Sequence, residues 1–76
     1  MKIRIEYCDD WNYLPKAASL ATKILTEYGN SITELTLTPS SGGVFEIDKD
    51  GKEVHSKKNT GNFPNEEQII EILSSL

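Results

Sequence analysis

The stretch Lys2-Ile3-Arg4-Ile5-Glu6-Tyr7-Cys8-Asp9-Asp10-Trp11-Asn12-Tyr13-Leu14-Pro15-Lys16-Ala17-Ala18 decides the fold. Ile3, Ile5 and Tyr7 alternate with Lys2, Arg4 and Glu6. A period of two marks a strand with one buried face. Cys8 falls just past the end of that alternation. Asp9, Asp10 and Asn12 are helix-starting residue types. From Leu14 the period changes, and Leu14, Ala17, Ala18, Ala21, Ile24, Leu25 and Tyr28 share one helical face. Proline is tolerated in a first turn but not in a helix interior, so Pro15 predicts a helix start between Trp11 and Leu14. Gly29 predicts its end.

Downstream, Leu35 and Leu37 alternate with Glu34, Thr36 and Thr38, which predicts a second strand over Glu34 to Thr38. Ile32 is out of phase and is expected to pack from the connecting turn. Pro39-Ser40-Ser41-Gly42-Gly43 is a turn cluster, read as a flexible entry to a third strand over Val44 to Asp48. Asp50-Gly51 is a hairpin signal, followed by a fourth strand over Glu53 to Lys57. Lys58 to Pro64 reads as a loop. Asn65 and Gln68 match a capping box, with Phe63 as a hydrophobic staple near Ile69. Ile69, Ile70, Ile72, Leu73 and Leu76 form the apolar face of a last helix. The order is βαβββα: α+β, a four-stranded mixed sheet with two helices, in one domain over residues 1–76. Strands one and two should be parallel through a right-handed crossover, and each helix offers one apolar face to the sheet.

The composition bounds the function. Of 76 residues, 37% are hydrophobic and 26% charged, which suits a small folded globule. A net charge of −4 makes nucleic acid a poor partner. No apolar run approaches the roughly 20 residues that span a bilayer, so no membrane role is expected. The alternating start is unlike a signal peptide. One cysteine cannot form an internal disulfide, and a cytoplasmic monomer is the expectation.

Cys8 is the one residue placed for nucleophilic chemistry. Unpaired N–H groups and the dipole at a helix start favour the thiolate. Asp9 and Asp10 oppose it by their charge. The alternative is a small apolar cysteine closing the strand.

The chain also resembles the selenoprotein W-like, or Rdx, family of thioredoxin-fold proteins. The residues that carry the resemblance are Tyr7-Cys8, then Leu14, Lys16, Ala17 and Ala18. Further on they are Pro39, Gly42-Gly43, Phe45-Glu46, Gly51, Ser56-Lys57-Lys58, Gly61 and Phe63-Pro64. The resemblance implies a thioredoxin-like fold and thiol-redox activity. Members carry Cys-x-x-Cys or Cys-x-x-selenocysteine at the first strand–helix junction. Cys8 matches the first position, but Trp11 stands at the second. A lone thiol leaves resolution of a mixed disulfide to glutathione or to another protein's thiol. Glutathione is thus a co-substrate under this reading, and no bound cofactor is implied. The resemblance also suggests that Pro39 approaches the place of the cis-proline opposite the active-site cysteine in thioredoxin-like folds.

Trp11 reads either as a binding hot spot or as a plug over the helix start, and Tyr13 in the same two ways. If both are exposed, Trp11 and Tyr13, with the loop near Pro39, form the contact face of a redox-inactive binding module. His55 reads as a solvent-facing strand residue. One cysteine and one histidine fall short of a zinc set, so no metal site is expected. Lys57 and Lys58 read as a solvated strand end that discourages edge pairing.

Overall fold

The computed structural model describes residues 1–76. The opening alternation folds as β1 (Lys2–Cys8) and the stripe after it as α1 (Leu14–Tyr28). A 3-10 turn at Gly29–Ser31 leads to β2 (Glu34–Ser40), β3 (Phe45–Lys49), β4 (Lys52–Ser56), α2 (Lys57–Thr60) and α3 (Glu66–Ser75). The sheet order is β2-β1-β3-β4. β1 is parallel to β2 and antiparallel to β3, and β3–β4 is a hairpin. The expected mixed four-stranded sheet is present, with a short helix added.

Ile3, Ile5 and Tyr7 point to one face of the sheet. They pack with Phe45 and Ile47 of β3, with Ala17, Leu20, Ala21 and Ile24 of α1, and with Ile69 and Leu73 of α3. Both long helices lie together on that face. Tyr28 donates its hydroxyl to the Ile70 carbonyl, Lys23 pairs with Glu67, and Ser19 donates to Glu66 at 2.9 Å. Arg4 lies on the other face, 3.6 Å from both Glu6 and Asp48. Ile32 packs against the core from its turn, as expected.

The helix faces differ from the predicted ones. Leu20, absent from the predicted stripe, is buried, while Leu14, Ala18 and Leu25 are exposed. Ala17, Leu20, Ala21 and Ile24 follow i, i+3, i+4, i+7. At 3.6 residues per turn, Leu14, Leu25 and Ala18 sit roughly 60–100° to one side of Ala17. On α3 Ile69 and Leu73 are buried and Ile70 packs partly against the core, as expected, whereas Ile72 is exposed. Leu76 lies beyond the last helical residue and is also exposed.

Strand ends shift by one or two residues. β2 runs on through Pro39 to Ser40, which its edge position permits. β3 begins at Phe45, not Val44, and β4 spans Lys52–Ser56 because Lys57 already belongs to α2. Asp50 and Gly51 form the two-residue hairpin loop with φ of 51° and 83°, the left-handed pair that such a loop requires.

The predicted loop over Lys58 to Pro64 contains most of α2. Glu46 of β3 organises that helix start. Its carboxylate accepts the Ser56 hydroxyl at 2.5 Å and the Lys57 and Lys58 N–H groups at 2.9 and 3.3 Å. Ser56 in turn accepts the Asn59 N–H at 3.1 Å. Burial pushes the Glu46 carboxyl up, but the hydrogen bonds from Ser56, Lys58, Lys57 and Phe45 outweigh it and hold the group below its ordinary value. His55 is half-buried rather than solvent-facing, because its Nε2 donates to the Asn62 carbonyl at 2.9 Å. Asn65 caps α3 by accepting the Gln68 N–H at 3.1 Å, as predicted.

Candidate functional site

The strand–helix junction is built from backbone outward. Cys8 is the last residue of β1 rather than the first beyond it. Its N–H donates to the Val44 carbonyl at 2.9 Å, and its carbonyl accepts the Tyr13 N–H at 3.0 Å. Asp9 donates to Ser40 at 2.9 Å, and Asn12 donates back to Asp9 at 3.0 Å. Residues 9–12 therefore form a closed turn, with Asn12 at a φ of 59°. All four are exposed, yet Cys8 beneath them has 0% of its surface exposed. The thiol is fully buried.

Trp11 packs at the entry to β3. Its ring lies across Gly43, and 60% of its surface remains open. A Cβ on Gly43 would fall 2.6 Å from Trp11 Cζ3, and Gly43 has a φ of 74°. Gly43 is thus not merely part of a flexible turn. It is the buried floor under the indole, and only a residue without a side chain fits there.

Tyr13 is half-buried and meets Trp11 edge-on with centroids 6.1 Å apart. On its other side it meets Phe63 at 4.7 Å, and Phe63 meets Phe45 at 5.4 Å. Phe63 packs against the core cluster that contains Ile69 and also joins this row of aromatics. Two cations lie over the row. Lys16 Nζ is 4.6 Å from the Phe63 ring, and Lys57 Nζ is 5.4 Å from Phe63 and 5.6 Å from Tyr13. A cavity of about 170 Å³ opens beside them, lined by Lys16, Phe45, Phe63, Pro64 and Glu66. Sequence reading missed this cluster. Lys57 had been read as a solvated strand end, whereas it starts α2 and leans over the rings.

Pro39 is not a cis-proline, and it lies one register step from Ser40, the β2 partner of Cys8. No peptide bond in the chain is cis. Pro39 is exposed in the β2 edge and is paired with Tyr7, because β2 keeps its parallel register with β1 as far as Ser40. Val44 is the residue bonded across from Cys8. The structure thus brings together Cys8, Trp11 and Tyr13, leaves Pro39 on the neighbouring edge strand, and keeps His55 away from them on β4. No three His, Cys, Asp or Glu side chains converge in a metal-binding group. No helix is long and apolar enough to cross a membrane.

Comparison with known proteins agrees with this architecture. The chain is 40% identical over 65 residues to selenoprotein W of Danio rerio, covering 83% of this chain and 74% of that protein. It is 32% identical over 73 residues to migration and invasion enhancer 1 of Bos taurus, covering 96% of this chain and 62% of that protein. A crystal structure of a Bordetella parapertussis protein superposes with a TM-score of 0.93 at 30% identity, covering 97% of this chain and 94% of that one. The selenoprotein W-related protein of Vibrio cholerae also gives 0.93, at 28% identity, covering 97% and 92%. The fold is accordingly α+β and thioredoxin-like. The Rdx family model matches residues 2–75, and with these relatives it establishes that the chain belongs to the Rdx family, whose function is related to thiol redox chemistry.

Proposed function

We propose that this chain is a thiol-redox protein that works through Cys8 alone. The observation that carries the reading is the place of its one thiol, at the end of β1 where the chain turns toward α1. That junction is where Rdx proteins carry the first residue of their redox pair. The Cys8 thiolate attacks one sulfur of a disulfide. The S–S bond breaks, one thiolate leaves, and a mixed disulfide forms on Cys8. Position 11 is tryptophan, so an external thiolate, from glutathione or a partner protein, attacks that mixed disulfide. It frees Cys8 and takes the bound group away as a new disulfide. No cofactor enters these steps, and they suit a reducing, cytoplasmic setting.

Because Cys8 is enclosed, its reaction requires the turn over residues 9–12 to open. The exposure of all four turn residues supports such a local opening. The test is incubation of the folded protein with glutathione disulfide, followed by mass. One glutathionyl adduct is expected, absent in Cys8→Ser and removed by free thiol. Modification that appears only after denaturant is added would sink the reading.

The complete enclosure of Cys8 beside a largely open Trp11 favours a second reading, a redox-inactive binding module. Trp11 and Tyr13 then form its contact face, with Pro39 on the adjoining edge strand. Partner capture that survives Cys8→Ser and weakens with Trp11→Ala is the outcome this reading requires.

A further inference from the structure

The two edges of the sheet are not alike. β4 carries Lys52, pairs with β3 through a bulge at Ile47/Asp48, and turns directly into α2. Charge and bulges of this kind discourage pairing with other strands. β2, at the other edge, has neither a lysine nor a bulge over Glu34 to Thr38.

The hydrogen bonds show which groups of β2 are free. Cys8 donates to Val44 on the β3 side, and Lys2 accepts from Asp50 on that side. Even-numbered residues of β1 therefore face β3, and odd-numbered ones face β2. In the parallel register Ile3↔Leu35 and Ile5↔Leu37, those odd residues bond to the even-numbered residues of β2. The bond from Asp9 to Ser40 follows the same pattern. Leu35 and Leu37 consequently turn their N–H and C=O groups outward, where no strand meets them.

We infer that this edge pairs with β2 of a second copy of the chain, antiparallel and centred on Thr36. The sequence Glu34-Leu35-Thr36-Leu37-Thr38 is self-complementary about that centre. Leu35 faces Leu37 of the other copy in both halves, and each such pair exchanges two hydrogen bonds, which uses every free backbone group of the two leucines. Thr36 faces Thr36 across the two-fold axis, and Glu34 faces Thr38, so no like charges oppose. Both leucines are half-buried against the core, and the pairing covers their open edges. A shift of two residues toward the C-terminus would set Leu35 against Pro39, which has no N–H, so the proline selects the register. The result is a continuous eight-stranded sheet. Its contact is small for a permanent dimer, and the net charge of −4 on each copy opposes it, so association is concentration-dependent and strengthened by salt.

Sedimentation equilibrium of the full chain from about 10 μM to ~1 mM, a range spanning weak association, tests this. A rising dimer fraction is expected, with slowed hydrogen exchange at the Leu35 and Leu37 amides as concentration rises. Thr36 is exposed, and Thr36→Lys sets two cations against each other on the axis. It should weaken the dimer roughly fivefold or more while leaving circular dichroism and the melting temperature unchanged. Thr26→Lys, with the same charge change on exposed helix surface, should not weaken it. A monomer throughout the range would overturn the inference. So would a dimer indifferent to Thr36→Lys, or one without concentration-dependent protection at Leu35 and Leu37. If Thr36→Lys proves unfolded, the amide protection in the unaltered protein decides alone.

Discussion

At the scale of single residues, the junction rests on an indole lying on a glycine. Gly43 combines a φ of 74° with a position where a Cβ would fall 2.6 Å from Trp11 Cζ3, too close for any side chain to share. Gly43→Ala must strain the backbone, displace the indole, or both. We expect a loss of about 1–3 kcal/mol of stability in chemical denaturation, with Trp11 fluorescence shifted to the red as the ring leaves its seat. Trp11→Ala in the Gly43→Ala background should recover the steric part of that loss and leave the part due to φ. Additive losses would mean that the two residues do not share the contact. The position of Cys8 at the junction and the presence of Trp11 in place of a second thiol were both legible in the sequence. The burial of the thiol was not, because the bonds that tie Cys8 to Val44 and Tyr13, and Asp9 to Ser40, form only in the tertiary fold. The glycine pair read as a loose turn for the same reason. Its purpose appears only when Trp11 is laid on it.

At the scale of elements, α2 exists because a strand residue caps it. Four residues make too short a helix to form alone, and its start is held by Glu46 from β3. The Glu46 carboxyl is held below its ordinary value, so its folded pKa lies below its unfolded one. Its stabilisation is therefore fully present above the unfolded value of about 4.5 and is lost as pH falls through the folded value. Glu46→Gln should lower stability at neutral pH by about 1 kcal/mol, the scale of one helix cap. The gap between variant and parent should then close as a pH series of denaturation curves descends below pH 4.5. A gap that holds constant to low pH would show that the charge is not what organises α2. Lys23 has the opposite sign. Glu67 hydrogen-bonds and attracts it, so its pKa is raised, and whatever it contributes is lost only at high pH. The strand and helix order was legible because period two and period 3.6 each repeat along their own segment. α2 was not, because Ser56 and Asn59 offer no local signal stronger than a turn, and the capping carboxylate stands ten residues upstream. The predicted face of α1 has helical spacing but is rotated from the buried one: the helix turns the side bearing Leu20 to the sheet rather than the side bearing Leu14, Ala18 and Leu25.

At the scale of the whole molecule, the helices cover one face of the sheet and Cys8 sits at the end of β1, one of its two inner strands. Two routes can admit a reagent to the thiol. One is opening of the turn over residues 9–12 while the sheet stays intact, and the other is unfolding of the entire core. They make different demands on a residue far from the junction. Ile69 of α3 is 1% exposed in the core, and Ile69→Val removes one methyl group there. That change lowers global stability by about 1 kcal/mol without touching the turn. If Cys8 is reached by local opening, its labelling rate in native buffer should not change with Ile69→Val. If it is reached by global unfolding, the rate should rise about fivefold, in step with the unfolded population. Trp11→Ala makes the complementary measurement. It removes the ring that seats the turn on Gly43, so it should speed labelling by more than its effect on global stability accounts for. A thiol that follows Trp11 and ignores Ile69 is gated by its own turn, as single-thiol chemistry on this fold requires. A thiol that follows Ile69 is simply part of the core, an outcome that counts against single-thiol chemistry and leaves the binding-module reading to be tested by partner capture.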